Sequence, residues 1–545
     1  MKEKESAIQT STSSKGLAGK DYLLEEALSY IPKIIELLDR NPVSKTYGCF
    51  DRQFWHYRTS DFPSGMYQEY VLPLALVYRY SFPGNPYFQE PRIKEWVIAG
   101  MDYSRRFAHS DGSCDDYYPF EKALGAAAFS LYAASESYLL LGLDEPRLLE
   151  FLNKRAAWVM KSGETGRLSN HHALVGLCLW NMFLLTGDEK FQKADHEKIQ
   201  KVLSWQSKEG WFPEYEGCDP GYLSICVDFL AKYYQKSQDQ ELIEPLERAV
   251  RFMTHFLHPD GSYGGEYGSR NTFHFFPHGL EIMGKIDSGA CALADAYLTG
   301  AVQGKRAYTD DDRIFGHLIY NYLQAYLDFN PNRPKSLNRF QGPRYFPEAG
   351  LYVREDNGRY WVINLKKGGV FKYFEGKKLT ESDTGLVIKT GEEKVLVSQI
   401  IAKTKVNVDK NEITVSGFFY ERPDLQLKTF KFLIFRLFLI TFGRISRNLV
   451  RFLLQRKIIL GKKKAKVKFT RKFYFDGGFR VEDVIEVLNP KLQVSQLAIS
   501  TDLTSIYVAT SQPYQESSLK SWTFLDEKVK DLNANRSIAW ERLWS

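Results

Sequence analysis

The sequence predicts a two-domain protein in which an N-terminal (α/α)5-6 toroid is followed by a C-terminal antiparallel β-sandwich. Three observations lead to this fold class: a repeat in the first 330 residues, a change to strand-like alternation near Gln341, and a length of 545 residues. A single hydrophobic core rarely supports a chain of that length, so two domains are expected.

The repeat consists of loops rich in Gly, aromatic and acidic residues, each followed by an apolar segment with helical spacing. The loops start at Ser64, Asp111, Ser162, Lys208 and Asp260, so the period is 46 to 52 residues. A fixed period of this size marks a repeated supersecondary unit. Because turn signals end most of the apolar segments before a second helix leads to the next loop, the unit is a helical hairpin.

Further helices at about 22–38 and 313–329 bring the number of hairpins to five or six over residues 21 to 330. Stacked hairpins form either an open solenoid or a closed ring. We favour the ring because every loop lies at the same end of its hairpin, and a ring would gather the loops at one mouth. An open solenoid with a concave face remains the alternative. We assign residues 21–335 to this domain.

Residues 336–545 are predicted to form the β-sandwich. Segments such as GRYWVINLKKGGVFKYF and TGLVIKTGEEKVLVSQIIA alternate in polarity, are rich in β-branched and aromatic residues, and turn at Gly. Short strands of this kind pack as antiparallel sheets. The Pro- and Asn-containing segment NPNRPKSLNRFQGP connects the two domains.

The first twenty residues are polar and lack an apolar core segment. We therefore expect a disordered tail over residues 1–20, no secretory signal, and a cytoplasmic protein. Six scattered cysteines without CxxC spacing fit reduced thiols better than disulfides or a zinc site.

A strongly basic segment interrupts the strand pattern of the second domain at about 428–472. It contains fifteen Lys or Arg and no Asp or Glu, in a chain whose net charge is +7. No uncharged window of about twenty residues occurs in it, so a transmembrane helix is not expected. Over 443–460, Arg444, Arg447 and Arg451 share one helical face and apolar residues another, as in helices that lie on an anionic membrane surface.

The same segment has a second interpretation, as a helix or hairpin that packs on the toroid with its cations facing solvent or an acidic glycan. No nucleic-acid motif accompanies the charge, so nucleic-acid binding is not expected.

Three neighbouring loop-to-helix junctions carry most of the chemically versatile side chains. They offer an amide, imidazoles, phenols, carboxylates and a guanidinium at what would be one mouth of the toroid. The residues are Asn170, His171 and His172 in the first junction, Trp211, Glu214, Tyr215, Asp219 and Tyr222 in the second, and Arg270, Asn271 and His274 in the third.

A helical toroid followed by a β-sandwich resembles the heparinase II/III-like polysaccharide lyases and their alginate and chondroitin lyase relatives. In those families an Asn, often followed by His, precedes a Tyr by about fifty residues, as Asn170, His171 and Tyr222 do here. PEYEGCDPGYLS resembles the family's Tyr-bearing segment, and RYFPEAGLYVRED the first strands of its β domain.

The resemblance implies β-elimination from a uronic-acid glycan, without a metal or other cofactor. Asn170 would neutralise the sugar carboxylate, with Arg270 as a second donor, so that the C5 proton becomes acidic. Tyr222 would act as the base and then as the acid that protonates the leaving oxygen. Because a phenol has a pKa of about 10, it needs a nearby cation, which His171, His172 or Arg270 would supply. Substrate-binding roles are expected for His172, Trp211, Glu214, Tyr215, Asp219, Asn271 and His274.

One departure from the heparinase II and III pattern is the histidine that those enzymes take from the β domain. No histidine follows His317 in this chain. Either His274 or His278 replaces it, or the site is closer to the Asn-His-Arg-Tyr set of the alginate and chondroitin lyases. A cytoplasmic lyase is also unusual, which favours a role in building or remodelling an envelope or capsular glycan, including a lipid-linked glycan.

Three other functions remain open. A uronate C5-epimerase would use the same carbanion and return the proton to the opposite face. A non-catalytic glycan-binding protein would dock on a membrane through 428–472. An inverting glycoside hydrolase would oppose Asp115 or Asp116 to Glu214 or Asp219. The key residues also have structural interpretations: Asn170 as a helix cap, Tyr222 as a core ring, and Arg270 as the partner of Glu266.

Overall fold

The computed structural model describes residues 14–163, 166–215, 217–308, 311–334, 336–422, 428–443, 450, 463–503 and 511–544. Helices dominate the first 330 residues of this part of the chain. They are α1 (Ser14–Leu37), α2 (Arg52–Trp55), α3 (Val71–Arg79), α4 (Pro91–Phe107), α5 (Leu124–Leu141), α6 (Pro146–Lys161), α7 (Ser169–Thr186), α8 (Glu189–Leu203), α9 (Pro220–Ser237), α10 (Ile243–Met253), α11 (His278–Met283), α12 (Ser288–Val302) and α13 (Gly316–Leu327).

The helices form a closed toroid, which confirms the predicted ring and excludes the open solenoid. Alternate helices α3, α5, α7, α9, α11 and α13 contact one another in sequence as an inner ring. The ring closes where α13 packs on α3 and on the 3-10 turn Gly65–Tyr70. At this closure the Tyr70 hydroxyl donates to the Asp312 carbonyl, and the rings of Tyr70 and Phe315 lie 4.8 Å apart.

Composition explains which helices are inside. The outer helices α4, α6, α8 and α10 have one apolar and one polar face, whereas α5 and α7 are apolar on nearly all sides. A helix that is apolar all round must be buried. One described helix, α5, is also long and apolar enough to cross a membrane, and 78% of its apolar window is buried inside the protein.

The predicted disordered tail over residues 1–20 is wrong for residues 14–20, which form the first turns of α1. Lys20 explains the ordering, because its ammonium lies 4.5 Å from the centre of the Tyr326 ring. Gly19 lies against Leu298 of α12. Residues 1–13 lie outside the described part of the chain.

The second domain contains two antiparallel sheets. The first sheet has the order β1 (Gly342–Phe346), β2 (Leu351–Asp356), β3 (Arg359–Asn364), β4 (Val370–Glu375) and β5 (Lys378–Asp383). The second runs β13-β12-β6-β7-β9-β10-β11-β14, with β8 paired to β9. Its strands are β6 (Gly385–Thr390), β7 (Val395–Val397), β8 (Lys405–Val408), β9 (Glu412–Glu421), β10 (Lys463–Tyr474), β11 (Phe479–Val487), β12 (Val494–Ser500), β13 (Thr523–Phe524) and β14 (Ser537–Trp544).

The first sheet is buried on both faces, because it lies between the toroid and the second sheet. Since neighbouring side chains of a strand point to opposite faces, alternate residues join different cores. Leu351, Val353, Tyr360 and Val362 belong to the toroid core. The intervening Tyr352, Trp361, Ile363, Phe371 and Tyr373 belong to the core between the sheets. This confirms a β-sandwich and joins it firmly to the toroid.

Inside the sandwich, the guanidinium of Arg471 lies between two buried carboxylates. It donates to Asp383 at 2.5 Å and to Asp483 at 2.7 Å, and all three side chains are fully buried. Arg542 on β14 reaches the same carboxylates at 2.7 and 3.0 Å. Two buried acids therefore face two guanidinium groups, one of them from the last strand.

The basic segment 428–472 is divided between two structures. A helix, α14 (Thr429–Phe438), continues into a π-helical turn, Leu439–Gly443. Residues 463–472 belong to β10 and thus to the sheet, which corrects the prediction of one continuous insertion. The predicted amphipathic helix over 443–460, including Arg444, Arg447 and Arg451, lies outside the described residues except at its start and at Val450. Another short helix, α15 (Asp526–Asn535), precedes β14. The six cysteines are free thiols, and all are buried.

Candidate active site

The residues singled out in the first two junctions lie at the start of two neighbouring inner helices. Helix α7 begins at Ser169, so Asn170 and His171 occupy its first turn. Helix α9 begins at Pro220, with Asp219 as its N-cap and Tyr222 in its first turn. The fold therefore brings both junctions to the same end of the toroid.

Asn170 and Glu214 form a buried hydrogen-bonded pair. The Asn170 amide Nδ2 donates to Glu214 Oε2 at 2.7 Å. Backbone contacts fix the pair, since Glu214 forms a β-bridge with Leu168, and Ser169 Oγ donates to the Pro213 carbonyl at 2.7 Å. The cap of α7 is Leu168, so the interpretation of Asn170 as a helix cap is wrong.

The environment of Glu214 raises the pKa of its carboxyl group to about 7. Burial is the main cause, because it disfavours the charged form. The positive charges of Arg270 and His171 and the hydrogen bond from Asn170 oppose the rise in pKa, while Asp219 adds to it. Near neutral pH, Glu214 is thus present both as an acid and as a carboxylate.

Arg270 lies beside this pair and stacks on an aromatic ring. Its guanidinium carbon is 4.2 Å from the centre of the Tyr215 ring. Tyr215 adopts a left-handed backbone conformation with φ of 59°, and its amide donates to the Arg167 carbonyl at 2.8 Å. The buried Nε of Arg270 has no hydrogen-bond partner in the described part of the protein. The suggested partner Glu266 instead lies 3.1 Å from the Lys372 ammonium.

Asp219 connects the second junction to the third. Its Oδ1 accepts from the Tyr222 amide at 3.1 Å and from the Thr272 hydroxyl, and its Oδ2 accepts from the Arg270 amide at 2.7 Å. Burial raises the pKa of this carboxyl group. Asp219 therefore fixes the backbone of Tyr222 relative to that of Arg270. Asp is also one of the residue types preferred as a helix N-cap.

Tyr222 is half-buried, with its ring packed edge-on against His274. The ring centres are 5.0 Å apart at an angle of 88°. Burial, with a smaller effect of the His317 charge, lowers the pKa of His274 to about 3. His274 is therefore neutral at ordinary pH and supplies no positive charge to the phenol.

A chain of ring contacts runs around the mouth from Tyr222 to His171. Its successive centre-to-centre distances are 5.0, 5.3, 5.8, 5.0 and 6.3 Å, through His274, Phe276, His317 and Phe129 to His171. The chain joins side chains from α5, α7, α9 and α13, together with the segment before α11. These rings form a continuous series of contacts between the phenol and the imidazole of His171.

Sequence reasoning did not identify His317 and Glu69 as neighbours of this site. His317 Nδ1 lies 3.1 Å from Oε1 of the fully buried Glu69. His317 is the second residue of α13 and His171 the third of α7, so both lie in the first turn of an inner helix. Comparing the first turns of the inner helices would have found it.

Three predicted substrate-binding residues instead contact other parts of the protein. His172 packs against Trp205, with ring centres 5.0 Å apart. Trp211 donates to Glu209, whose carboxylate also accepts backbone hydrogen bonds from 348 and 349 of the β domain. Asn271 is fully buried, with a φ of 59°, and its side-chain oxygen accepts from Lys367.

Lys367, in the turn between β3 and β4, is one of the residues of the β domain that hold the third junction. Its ammonium donates to the carbonyls of Glu266 and Gly268 at 2.6 and 2.7 Å and to Asn271 Oδ1. Burial lowers the pKa of this amine to about 7. The loop that carries Arg270 is thus fixed from across the domain boundary.

The acids considered for hydrolysis are engaged in loop contacts. Asp115 accepts from the Phe120 and Lys122 amides at 2.8 and 3.0 Å. Asp116 binds Arg313 at 3.0 Å and the Ser64 hydroxyl at 2.7 Å. In the described part of the chain, no group of three or more His, Cys, Asp or Glu side chains is arranged to hold a metal ion.

No family model and no curated protein sequence matches the chain. Solved structures do match it. Chondroitin AC lyase of Streptomyces coelicolor A3 has a TM-score of 0.52 and 9% identity, over 92% of this chain and 69% of that one. Xanthan lyase of Paenibacillus has a TM-score of 0.52 and 11% identity, over 90% of this chain and 47% of that one, so this chain spans about half its length. Heparinase III has a TM-score of 0.49 and 12% identity, over 92% of this chain and 76% of that one.

At these identities the likeness concerns the fold. It extends over both domains, because about nine-tenths of this chain is covered in the comparisons with chondroitin AC lyase and xanthan lyase. The protein therefore has the polysaccharide lyase fold, a helical toroid joined to a β-sheet domain.

Proposed function

We propose that the protein is a lyase that acts on a uronic-acid-containing polysaccharide by C5 proton abstraction and β-elimination. The observation that carries this proposal is the buried pair of Asn170 and Glu214 beside Arg270. Such a group of donors fits a sugar carboxylate. The known activities of proteins with the same fold support the general class, since the chondroitin AC and xanthan lyases act on polysaccharides.

The first chemical requirement is to neutralise the carboxylate next to C5. The Asn170 amide, the protonated form of Glu214 and the partner-free Nε of Arg270 would donate to it. Donors already aimed at the developing enolate stabilise it more than water does, because they need not reorganise. Glu214 thereby acquires a more specific role than the general substrate contact expected from the sequence.

Tyr222 would carry the proton. Its phenolate oxygen takes the proton from C5, the electrons of that bond form the C4=C5 double bond, and the C4–O bond breaks. The departing oxygen then receives the proton from Tyr222, so the residue returns to its starting state. The positive charge that stabilises the phenolate would come from His171 or Arg270, since His274 is neutral at working pH.

Ultraviolet absorbance of unsaturated uronate tests this directly. Wild-type protein would be incubated with alginate, chondroitin, heparan, hyaluronan and polyglucuronate, beside Tyr222→Phe and the matched control Tyr57→Phe, whose ring is exposed. We expect absorbance in the wild type and the control and none in Tyr222→Phe. Deuterium entering C5 without absorbance would instead identify an epimerase. Binding without either signal would identify a glycan-binding protein.

We also propose that the protein works at an anionic lipid surface, where envelope and lipid-linked glycans are built. Helix α14 carries the supporting observation. Phe430, Leu433, Ile434 and Leu437 repeat at helical spacing along one side and are 54–73% exposed. Large apolar stripes of this kind mark interaction sites, and a stripe next to basic residues is typical of helices that lie on membranes.

The opposite side of this helix is fixed to the toroid. Arg436 pairs with Asp61, and its guanidinium carbon lies 5.4 Å from the centre of the Phe62 ring. Leu439 is buried where the helix continues. With fifteen cations and no acid over residues 428–472, the surrounding charge complements anionic lipid rather than a second copy of the same segment.

Vesicle flotation tests the lipid partner. The protein would be mixed with phosphatidylcholine vesicles, with or without phosphatidylglycerol, and compared with Leu433→Ser/Leu437→Ser. Losing two inserted leucines should weaken binding to anionic vesicles at least about ten-fold. The control Leu543→Ser removes an equally exposed leucine from β14 and should bind like the wild type. Equal flotation of all three proteins would refute the lipid surface.

A further inference from the structure

We propose that a cavity between the toroid and the β domain is a second binding site, which takes an anionic sugar residue of an acidic saccharide. The inference rests on the proposed function, because the ligand belongs to the same class of glycan. The cavity has a volume of about 350 Å³ and lies apart from Asn170, His171 and Tyr222, none of which lines it. Small-molecule sites begin at about 300 Å³.

Positive charge dominates the lining. Lys305, Lys372, Lys377, Lys378 and Lys520 face it, against the two carboxylates Asp260 and Glu516. Such a set of ammonium groups attracts carboxylates and sulfates, which accept hydrogen bonds from several donors at once.

Internal pairing cancels only part of this charge. Glu516 pairs with Lys305, and Lys372 lies 3.1 Å from Glu266. Lys520 donates to the Thr380 carbonyl at 2.8 Å and has an electrostatic interaction with Glu381 but forms no ion pair among the described side chains. Lys377 and Lys378, at the turn between β4 and β5, have no ion pair among the described side chains. An anion is therefore the ligand that the cavity lacks.

Lys372 gives the site a fixed floor. Its side chain is almost fully buried, and its ammonium reaches Ser517 Oγ at 3.5 Å as well as Glu266. A buried, doubly held ammonium cannot swing away, so the anion would meet it at a defined position. The exposed Lys377 and Lys378 would contact the ligand from the rim.

The remaining lining favours a sugar over a bare inorganic ion. Phe374 and Leu379 supply apolar surface for the C–H face of a pyranose ring, and Ser262, Gln515 and Ser517 supply hydrogen-bonding groups for hydroxyls. A cavity of this volume also exceeds the needs of a single sulfate or phosphate. We therefore assign an anionic monosaccharide unit to it.

The cavity is connected to the loop of the proposed catalytic residues. Lys372 in its floor contacts Glu266, and the loop from Glu266 continues to Arg270, held by Lys367. A long acidic glycan gripped here would be anchored beside the loop that reads its carboxylate.

Site-resolved lysine acetylation, followed by mass spectrometry, tests the assignment without any variant. The probes are glucuronic acid, neutral glucose and inorganic sulfate. We expect glucuronic acid to slow acetylation of Lys377, Lys378 and Lys520 and to leave the exposed Lys491 and Lys530 unchanged. Glucose should protect none of them. Protection by sulfate but not by glucuronic acid would overturn the assignment to a sugar, and equal protection at Lys491 and Lys530 would overturn the site itself.

Charge reversal gives an independent measure. Calorimetric affinity for a glucuronate-containing oligosaccharide should fall about ten-fold or more in Lys377→Glu/Lys378→Glu, because two charge-assisted contacts are lost. The control Lys491→Glu/Lys530→Glu changes net charge equally and should bind like the wild type. An unchanged affinity in the first variant would contradict the proposal.

Failure of this site and failure of the lyase proposal are distinguishable. Protection of the cavity lysines should persist in Tyr222→Phe, which abolishes elimination. Conversely, Lys377→Glu/Lys378→Glu should retain elimination on a short substrate that does not reach the cavity. Loss of protection in Tyr222→Phe would show that the proposed second site is not separate from the catalytic mouth.

Discussion

Asn170 and Glu214, 44 residues apart in sequence, meet through a hydrogen bond of 2.7 Å and join the first turn of α7 to the loop before α9. Together the two residues can present a proton at a defined position. Glu214 is buried enough to hold a proton near pH 7, and Asn170 fixes where that proton would be presented.

Replacing Glu214 by Gln should change the pH dependence of activity. The carboxyl group is protonated below its pKa of about 7, so the wild type should lose activity as pH rises through that value. A Gln is neutral at every pH and removes this limb. The measurement is kcat/KM from pH 5 to 9, with Glu244→Gln as an exposed control. An identical alkaline limb in both variants would contradict the assigned role.

The same substitution should affect stability with a defined sign. Because folding raises the pKa of Glu214, the folded state is penalised increasingly as pH rises from the unfolded pKa to about 7. Glu214→Gln should therefore gain stability relative to the wild type above pH 7, by at most about 3 kcal/mol. At pH 4 the two proteins should unfold at similar urea concentrations. A difference that stays constant with pH would contradict the raised pKa.

Lys367→Met should loosen the loop that carries Arg270. Three acceptors lose their donor, which should cost about 2 kcal/mol and lower kcat/KM through misplaced Arg270. The pKa of the wild-type amine is lowered to about 7, so the penalty of burying its charge is full below pH 7 and relieved at higher pH. The stability lost in Lys367→Met should thus be larger at pH 9 than at pH 6. Lys403→Met, on an exposed side chain, is the control.

Substitution of Asp219 should lower the stability of the protein strongly, although Asp219 takes no part in the proposed reaction. Asp219→Ala removes the cap of α9 and the acceptor of the Arg270 amide, and we expect a loss of about 2 to 3 kcal/mol. Asp219→Asn keeps one acceptor oxygen but turns an NH2 group toward the Arg270 amide, so it should be intermediate. Thermal unfolding gives the order, and a wild-type melting temperature for Asp219→Ala would contradict it.

Arg542→Met should destabilise the β-sandwich by about 2 kcal/mol, because two buried carboxylates lose a donor. The effect should diminish in acid. The guanidinium groups lower the pKa of Asp383 to about 2, so the stability from this carboxylate is lost as pH falls toward that value. Arg480→Met breaks the exposed pair with Glu541 and should change stability little. Equal effects of the two substitutions would contradict the prediction.

The position of the first two junctions could be predicted from the sequence, because the repeat places Asn170 and Tyr222 at equivalent points of successive hairpins. The directions in which the side chains of one helical turn point could not be predicted in this way. Neighbouring helical residues point about 100° apart, so His171 faces the ring of aromatic side chains while His172 packs against Trp205. The role of Lys367 could not be predicted either, because Lys367 belongs to the other domain and lies 96 residues beyond Asn271.

The contacts of the Arg542 guanidinium also affect the order in which the two domains fold during synthesis. Arg542 is synthesised 159 residues after its partner Asp383. Until then, β11 also lacks its neighbouring strand β14. While the ribosome is still extending the chain, the toroid is complete but the sandwich has an open edge and unbalanced buried acids. The β domain should therefore fold after the toroid, and a chain that stops before Arg542 should have a less stable β domain.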